Sequence, residues 1–258
     1  MNVNGYDIEP GANLTGANLE GANLTNANLW AADLTGANLR GANLTRTNFT
    51  KANLTEANLT EANPQLGVNP KGADLNGNFT GAGTNFEGAN LTKANLSRAK
   101  MQYANFADAN LNGANLSDTN LYTADLYRSN LSDADLTRAY LFHAILFGAD
   151  LRNSNFTDGD LRDADLTDAN LSFSTLYNAN LSKAFLFRAN LIGANLNKAQ
   201  LKNAHLNDAD LTNADLTGAN LYAADIRDAN MTNADLTKVR LKDAKLTGAT
   251  MPDGSTHD

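Results

Sequence analysis

The side chains in this chain best suited to chemistry are few and scattered. His143, His205 and His257 could act as bases or metal ligands, but none has a second ligand at metal-binding spacing. Each therefore reads as a solvated histidine. Aspartates such as Asp125 and Asp165 recur at regular intervals, and a cation could bridge such a column. Their simpler role is polar surface. Paired carboxylates of the glycosidase type need a cleft that raises one pKa and excludes water. Serine and threonine are abundant, but nothing in the sequence pairs one of them with a histidine base. Gly81-Ala82-Gly83 lacks the strand and helix that would make it a phosphate loop. The chain has no cysteine, so a disulfide scaffold, a thiolate zinc site and a cysteine nucleophile are all excluded. The expectation is a protein with no catalytic residues, no metal and no cofactor.

The elements that position these residues follow from a five-residue pattern. A large apolar residue recurs at every fifth position from Leu14 to Leu59 and from Phe86 to Met251, giving 44 such centres, of which 36 are Leu. The exceptions are Phe49, Phe86, Met101, Phe106, Phe156, Ile226, Met231 and Met251. Two residues before each centre stands a small side chain, nearly always Ala. On an α-helix, steps of five turn by about 140° and would scatter the leucines over every face. In a continuous strand, odd steps would alternate between core and water. A chain that turns a corner every five residues buries all of them. Four sides make a square coil of about 20 residues, each side aiming one large and one small residue inward at native density.

With this pattern in view, the chain resembles pentapeptide-repeat proteins, whose motif is A-[N/D]-L-x-x, as in Ala12-Asn13-Leu14 and Ala209-Asp210-Leu211. The resemblance implies an all-β, right-handed quadrilateral β-helix of about 11 coils. It also implies that the Asn and Asp columns lie outside, on a convex rod without a cleft. The ending from Leu246 to Asp258 resembles those of cyanobacterial members, including one tied to heterocyst differentiation.

Composition bounds the partners. The formal charge of −8 repels phosphate backbones, so no direct nucleic acid binding is expected. No stretch approaches the roughly 20 apolar residues of a membrane span. Met1 to Pro10 has neither a basic cluster nor an apolar run, so no signal peptide is expected. The location read from these features is cytoplasmic.

The pattern breaks between 62 and 85. Pro64 stands where a centre is due, and Pro70 and several glycines follow. Proline removes a ladder donor, so an irregular loop or distorted coil is expected here. The 27-residue step from Leu59 to Phe86 reads as one coil plus seven residues. Pro64, Leu66, Val68, Pro70 and Phe79 are the residues such a loop could offer to a partner. A tolerated insertion is the plainer reading. The domain reading is an N-terminal cap at 1–11, with Tyr6 and Ile8 as plugs. A repeat β-helix follows at 12–251, and a C-terminal tail at 252–258 in which Pro252 stops the last coil.

From Phe86 onward the register holds, so residues 20 apart share a column. Outward columns on two adjoining sides gather Tyr122, Tyr127, Tyr140, Phe142, Ile145, Phe147, Phe185 and Phe187, with Arg128 and His143 at nearby corners. Exposed apolar clusters mark contact surfaces. Aromatics on a flat β-face also stack on neighbouring coils and stabilise the ladder. The functional expectation is a non-catalytic interaction scaffold with a protein partner, and with self-association through the patch or end to end. The alternative implied by the resemblance is DNA mimicry, since some family members are acidic rods that protect gyrase. Arg128, Arg138, Arg152 and Arg162 interrupt the acidic surface that such mimicry needs.

Overall fold

The computed structural model describes residues 1–62 and 83–258. Residues twenty apart are joined by parallel bridges, beginning with Asn13 to Asp33 and Asn18 to Asn38 and continuing to Asn230 and Thr250. The chain is therefore an all-β solenoid with four five-residue faces per coil. Face 1 carries the centres Phe86, Phe106, Leu126, Leu146, Leu166 and Leu186; face 2 begins at Leu91, face 3 at Leu96 and face 4 at Met101. Away from the two end coils, the centres and the alanines two residues before them fill the bore and are almost wholly buried.

The pentapeptide forms this shape for local reasons. Each corner is a turn in which the small residue donates back to the preceding centre, as Ala17 N–H does to Leu14 O at 3.0 Å. The second corner residue has positive φ at every corner from Gly16 to Glu61 and from Gly88 to Gly248. That places left-handed backbone at the third position of each turn, as in type II turns. The left-handed region costs most residues about 1–2 kcal/mol, so Gly, Asn and Asp are the easiest occupants. Lys, Arg and Glu also stand there, and Thr123 is a β-branched occupant at φ 53°.

The Asn or Asp before each centre has a specific task. Its Oδ1 accepts the N–H two residues on, as from Thr15 to Asn13 at 3.2 Å, and often the threonine hydroxyl as well, as from Thr25 to Asn23 at 2.6 Å. Asn also donates to the coil before it: Asn53 Nδ2 reaches Thr35 Oγ1 at 2.8 Å. Asp makes the first bond but lacks the second donor. Where the small inward residue is polar, a backbone carbonyl accepts its hydroxyl, as Leu24 O does from Thr47 and Leu126 O from Ser129.

The interruption differs from the sequence reading. Asn48 pairs with Asn85 and Asn53 with Asn90, whose Nδ2 donates to Asn53 Oδ1 at 3.3 Å, a 37-residue step that is 17 longer than the regular 20. Phe86 accordingly stacks on Phe49 (centroids 5.1 Å apart) and beneath Phe106 (4.7 Å), inside the bore. Ala62 is wholly buried on face 4 and accepts Lys100 N–H at 2.9 Å. The extra residues thus enter between Ala62, on face 4, and Gly83, which precedes face 1; the reading of one further coil plus seven residues is corrected. The aromatic stack sets this register, because a ring on a ring continues the bore where the pentapeptide count is lost. Pro64, Leu66, Val68, Pro70 and Phe79 lie outside the described residues.

The two ends differ. A hairpin of β1 (Asn2–Val3) and β2 (Tyr6–Asp7) leads into Ile8, which is buried against the first coil. Tyr6 is half-buried, and its hydroxyl accepts Asn18 N–H. At the other end the tail folds back over face 2, where Thr250 pairs antiparallel with Thr256 and Met251 N–H reaches Ser255 O at 2.7 Å. Leu236, Leu241, Leu246 and Met251 there remain partly exposed.

Candidate interaction surface

Faces 4 and 1 meet at the corner column Tyr103, Thr123, His143, Asp163 and Lys183. All eight residues read from the sequence as outward-facing lie outside the bore. Tyr127, Ile145 and Phe185 are exposed; Tyr122, Tyr140, Phe142, Phe147 and Phe187 are half-buried. Half-burial follows from neighbours on the face: rings cover Tyr122, Tyr140, Phe142 and Phe147, and Arg188 covers Phe187.

The rings form groups. On face 4, Tyr122 stacks on Tyr140 (6.2 Å) and Phe142 (5.9 Å), while Tyr140 and Phe142 lie 6.2 Å apart. Tyr103 meets Tyr122 edge-on at 5.4 Å, and the His143 ring tilts against Phe142 at 4.1 Å. Partial burial, with Tyr122 beside it, raises the Tyr103 phenol above its usual pKa. The Arg162 guanidinium lies 5.3 Å from the Phe142 centroid. On face 1, Tyr127 stacks on Phe147 at 5.8 Å, with Arg128 over Tyr127. Ile145 stands beside Phe147 in the same coil.

Phe185 and Phe187 are set apart from these. Between them and Phe147 lies the coil of Asp165 and Thr167, whose Asp165 Oδ1 accepts Thr167 N–H at 3.0 Å. Phe185 stacks instead on His205, 5.0 Å away and nearly parallel, and Arg188 covers Phe187 at 4.3 Å. The single patch of the sequence reading is therefore a main cluster over faces 4 and 1 and a smaller one further along face 1. Sequence reasoning left out Tyr103 and the stacking role of His205, although His205 stands 20 residues from Phe185 and Tyr103 meets Tyr122, 19 residues on. It also passed over Phe173, which is 65% exposed at a corner of face 2, with its ring over Gly193. No period marks that residue, because corners are read as polar.

The charged residues are arranged as supports. Arg138 grips Asp118 one coil away at 2.7 Å, and Arg188 grips Asp168 at 2.6 Å. Arg152, Arg162 and Arg227 fold back onto Asp150, Asp160 and Asp225 two residues earlier. Hydrogen bonds from these guanidiniums hold the Asp118, Asp150, Asp168 and Asp225 carboxyls below their usual pKa. Among the described residues, no group of His, Asp or Glu is placed to hold a metal ion, and no buried side-chain polar atom lacks a partner. No helix among them is long and apolar enough to cross a membrane.

The five-residue turn, the 20-residue coil and the Ala-Asn-Leu bore agree with comparison to known families. The family model for pentapeptide repeats matches in eight copies, covering residues 11–63, 78–141, 144–182 and 184–251. The chain belongs to the pentapeptide-repeat family. Among solved structures it is similar to HetL, a pentapeptide repeat protein involved in heterocyst differentiation regulation from the cyanobacterium Nostoc sp. strain PCC 7120. That match has 39% identity over 93% of this chain and 91% of HetL, with a TM-score of 0.40. A pentapeptide repeat protein from the Arabidopsis thaliana thylakoid lumen is 30% identical over 43% of this chain and 70% of its own, with a TM-score of 0.30. QnrB1, a plasmid-mediated fluoroquinolone resistance protein, is 18% identical over 84% and 91%, with a TM-score of 0.35. Comparison with curated proteins gives no match.

Proposed function

We propose that this pentapeptide-repeat protein is a non-catalytic interaction scaffold that binds a protein partner through the aromatic cluster of faces 4 and 1. The observation that carries the reading is the stack of Tyr103, Tyr122, Tyr140 and Phe142 beside Tyr127, Ile145 and Phe147 on the outer surface. These side chains contribute nothing to the bore, and polar residues fill the same columns in other coils: Asn180, Ser182, Asn105 and Thr167. Rings on a rigid face give contact area at low entropic cost, which suits a binding hot spot. In this proposal the rod is a right-handed quadrilateral helix of about eleven coils, capped by residues 1–11 and followed by a tail at 252–258. In this proposal its role is regulatory and its location cytoplasmic. Phe185 and Phe187 extend the contact, or mediate pairing of two copies.

The test is the double substitution Phe142→Ser with Phe147→Ser. Affinity capture should lose a partner that the wild type retains, while far-ultraviolet circular dichroism and melting stay near wild type. Retention of every captured partner and of the oligomeric state would remove the cluster from this role. A gyrase supercoiling assay on the same proteins separates the DNA-mimic alternative, which requires salt-sensitive inhibition unaffected by the ring substitutions.

A further inference from the structure

We infer that the C-terminal part of face 4 is a second interaction surface, which takes an acidic, carboxylate-rich segment of a protein partner. In a chain of formal charge −8 this stretch is strongly basic. From Asn178 to Asp243, face 4 and its two bordering corner columns carry Lys183, Lys198, Lys202, Lys238, Arg240 and Lys242, opposed by the single carboxylate of Asp243. Five of the six are exposed on the two coils that flank Tyr222, whose own coil carries no cation on this face, and Lys183 lies one coil earlier.

These six differ in their pairing from the arginines that hold aspartates elsewhere on the rod. Arg138, Arg152, Arg162, Arg188 and Arg227 each hold an aspartate at 2.6–2.7 Å. None of the six on this stretch is in a salt bridge among the described residues; Lys198 donates to the Tyr177 hydroxyl instead, at 2.8 Å. Lys202 Nζ and the Arg240 guanidinium lie 5.6 and 5.3 Å from the Tyr222 ring centroid. The ring orders both cations without neutralising them. Lys202 and Lys242, and likewise Lys198 and Lys238, stand two coils apart in one column, about 10 Å, where like charges still repel and a bound anion relieves the repulsion.

Size and geometry select the partner. The basic stretch covers about four coils, some 15 Å along the rod. Asp158, Asp160 and Asp163 bound it on one side, and Asp208, Asp225 and Asp235 lie on the adjoining faces. A nucleic acid extends its phosphates over those carboxylates, whereas a short acidic peptide stays within the basic area. A base would also need a free aromatic face for stacking, and cations from the coil before and the coil after already cover Tyr222. The inference is independent of the aromatic cluster, which lies on earlier coils.

Fluorescence anisotropy with a labelled peptide of about ten glutamates, beside a labelled single-stranded oligonucleotide of equal length, tests it. The triple variant Lys202→Gln, Arg240→Gln, Lys242→Gln should weaken peptide binding by about tenfold at low salt. Neutralising Arg46, Lys51 and Lys93 should change it by less than about twofold, and so should the Phe142 and Phe147 substitutions. Circular dichroism confirms that each variant is folded. Three results would overturn the inference: no peptide binding by the wild type, equal losses in the two neutralised sets, or tighter binding of the oligonucleotide than of the peptide.

Discussion

Replacing Leu166 by Asp should break the rod locally, and the size of the effect follows from where the side chain sits. Leu166 is wholly buried on face 1, stacked between Leu146 and Leu186, and its N–H donates to Phe185 O at 2.7 Å. Removing the leucine loses about 1.5–3 kcal/mol of apolar burial. An unpartnered polar group in the bore costs a further ~2–7 kcal/mol, even with the carboxyl protonated. The sum, roughly 4–10 kcal/mol, is comparable to the whole stability of a typical domain, about 5–15 kcal/mol. Because each coil rests only on its neighbours, the coils around residue 166 should open first and spread the damage. The control is Asn180→Asp, in an outward column, which keeps an Oδ1 for Ser182 N–H (3.1 Å in the native protein). Its expected cost is under about 1 kcal/mol. Urea unfolding followed by far-ultraviolet circular dichroism measures both, and limited proteolysis locates the opening. Near-native unfolding of Leu166→Asp, or equal damage from Asn180→Asp, would refute the assignment of inward and outward positions.

Three further outcomes follow. Gly83→Ala should destabilise the protein by about 1–3 kcal/mol or more, because its new Cβ would overlap the Tyr103 carbonyl where the chain rejoins the coil; thermal melting would show it. Thr123→Gly should stabilise by about 1 kcal/mol, since it frees a β-branched residue from left-handed backbone; an unchanged or lower melting temperature would count against strain at that corner. Acid should weaken the fold: the Asp150 and Asp225 carboxyls are held low by hydrogen bonds from Arg152 and Arg227. A lowered folded pKa gives stability that is complete above the unfolded value near 3.9 and lost as pH falls through the folded one. Asp150→Asn with Asp225→Asn should therefore flatten the pH dependence of the urea midpoint below about pH 4, and an unaltered slope would show that these pairs contribute nothing to it.

Much of this molecule is legible in its sequence because one constraint repeats. A bore admits one large and one small residue per side, so Leu166 and Ala164 could be placed inside and Phe142 and Phe147 outside by counting alone. The corner backbone was hidden, since Lys51, Arg138 and Thr123 carry no mark of left-handed φ and are held there by the ladder around them. Counting also fails where the count is interrupted. Whether Phe86 follows Leu59 after a further coil or lies on Phe49 depends on which surfaces meet, and the stack of Phe49, Phe86 and Phe106 decided it. The same holds for charge. The columns show that Arg162 and Arg240 both stand on face 4, but only the folded geometry gives Arg162 to Asp160 and leaves Arg240 over Tyr222. Periodicity determines which way a side chain faces, and contact between coils determines what it meets there. The first is a property of each pentapeptide, and the second arises only when residues twenty or thirty-seven apart are brought side by side.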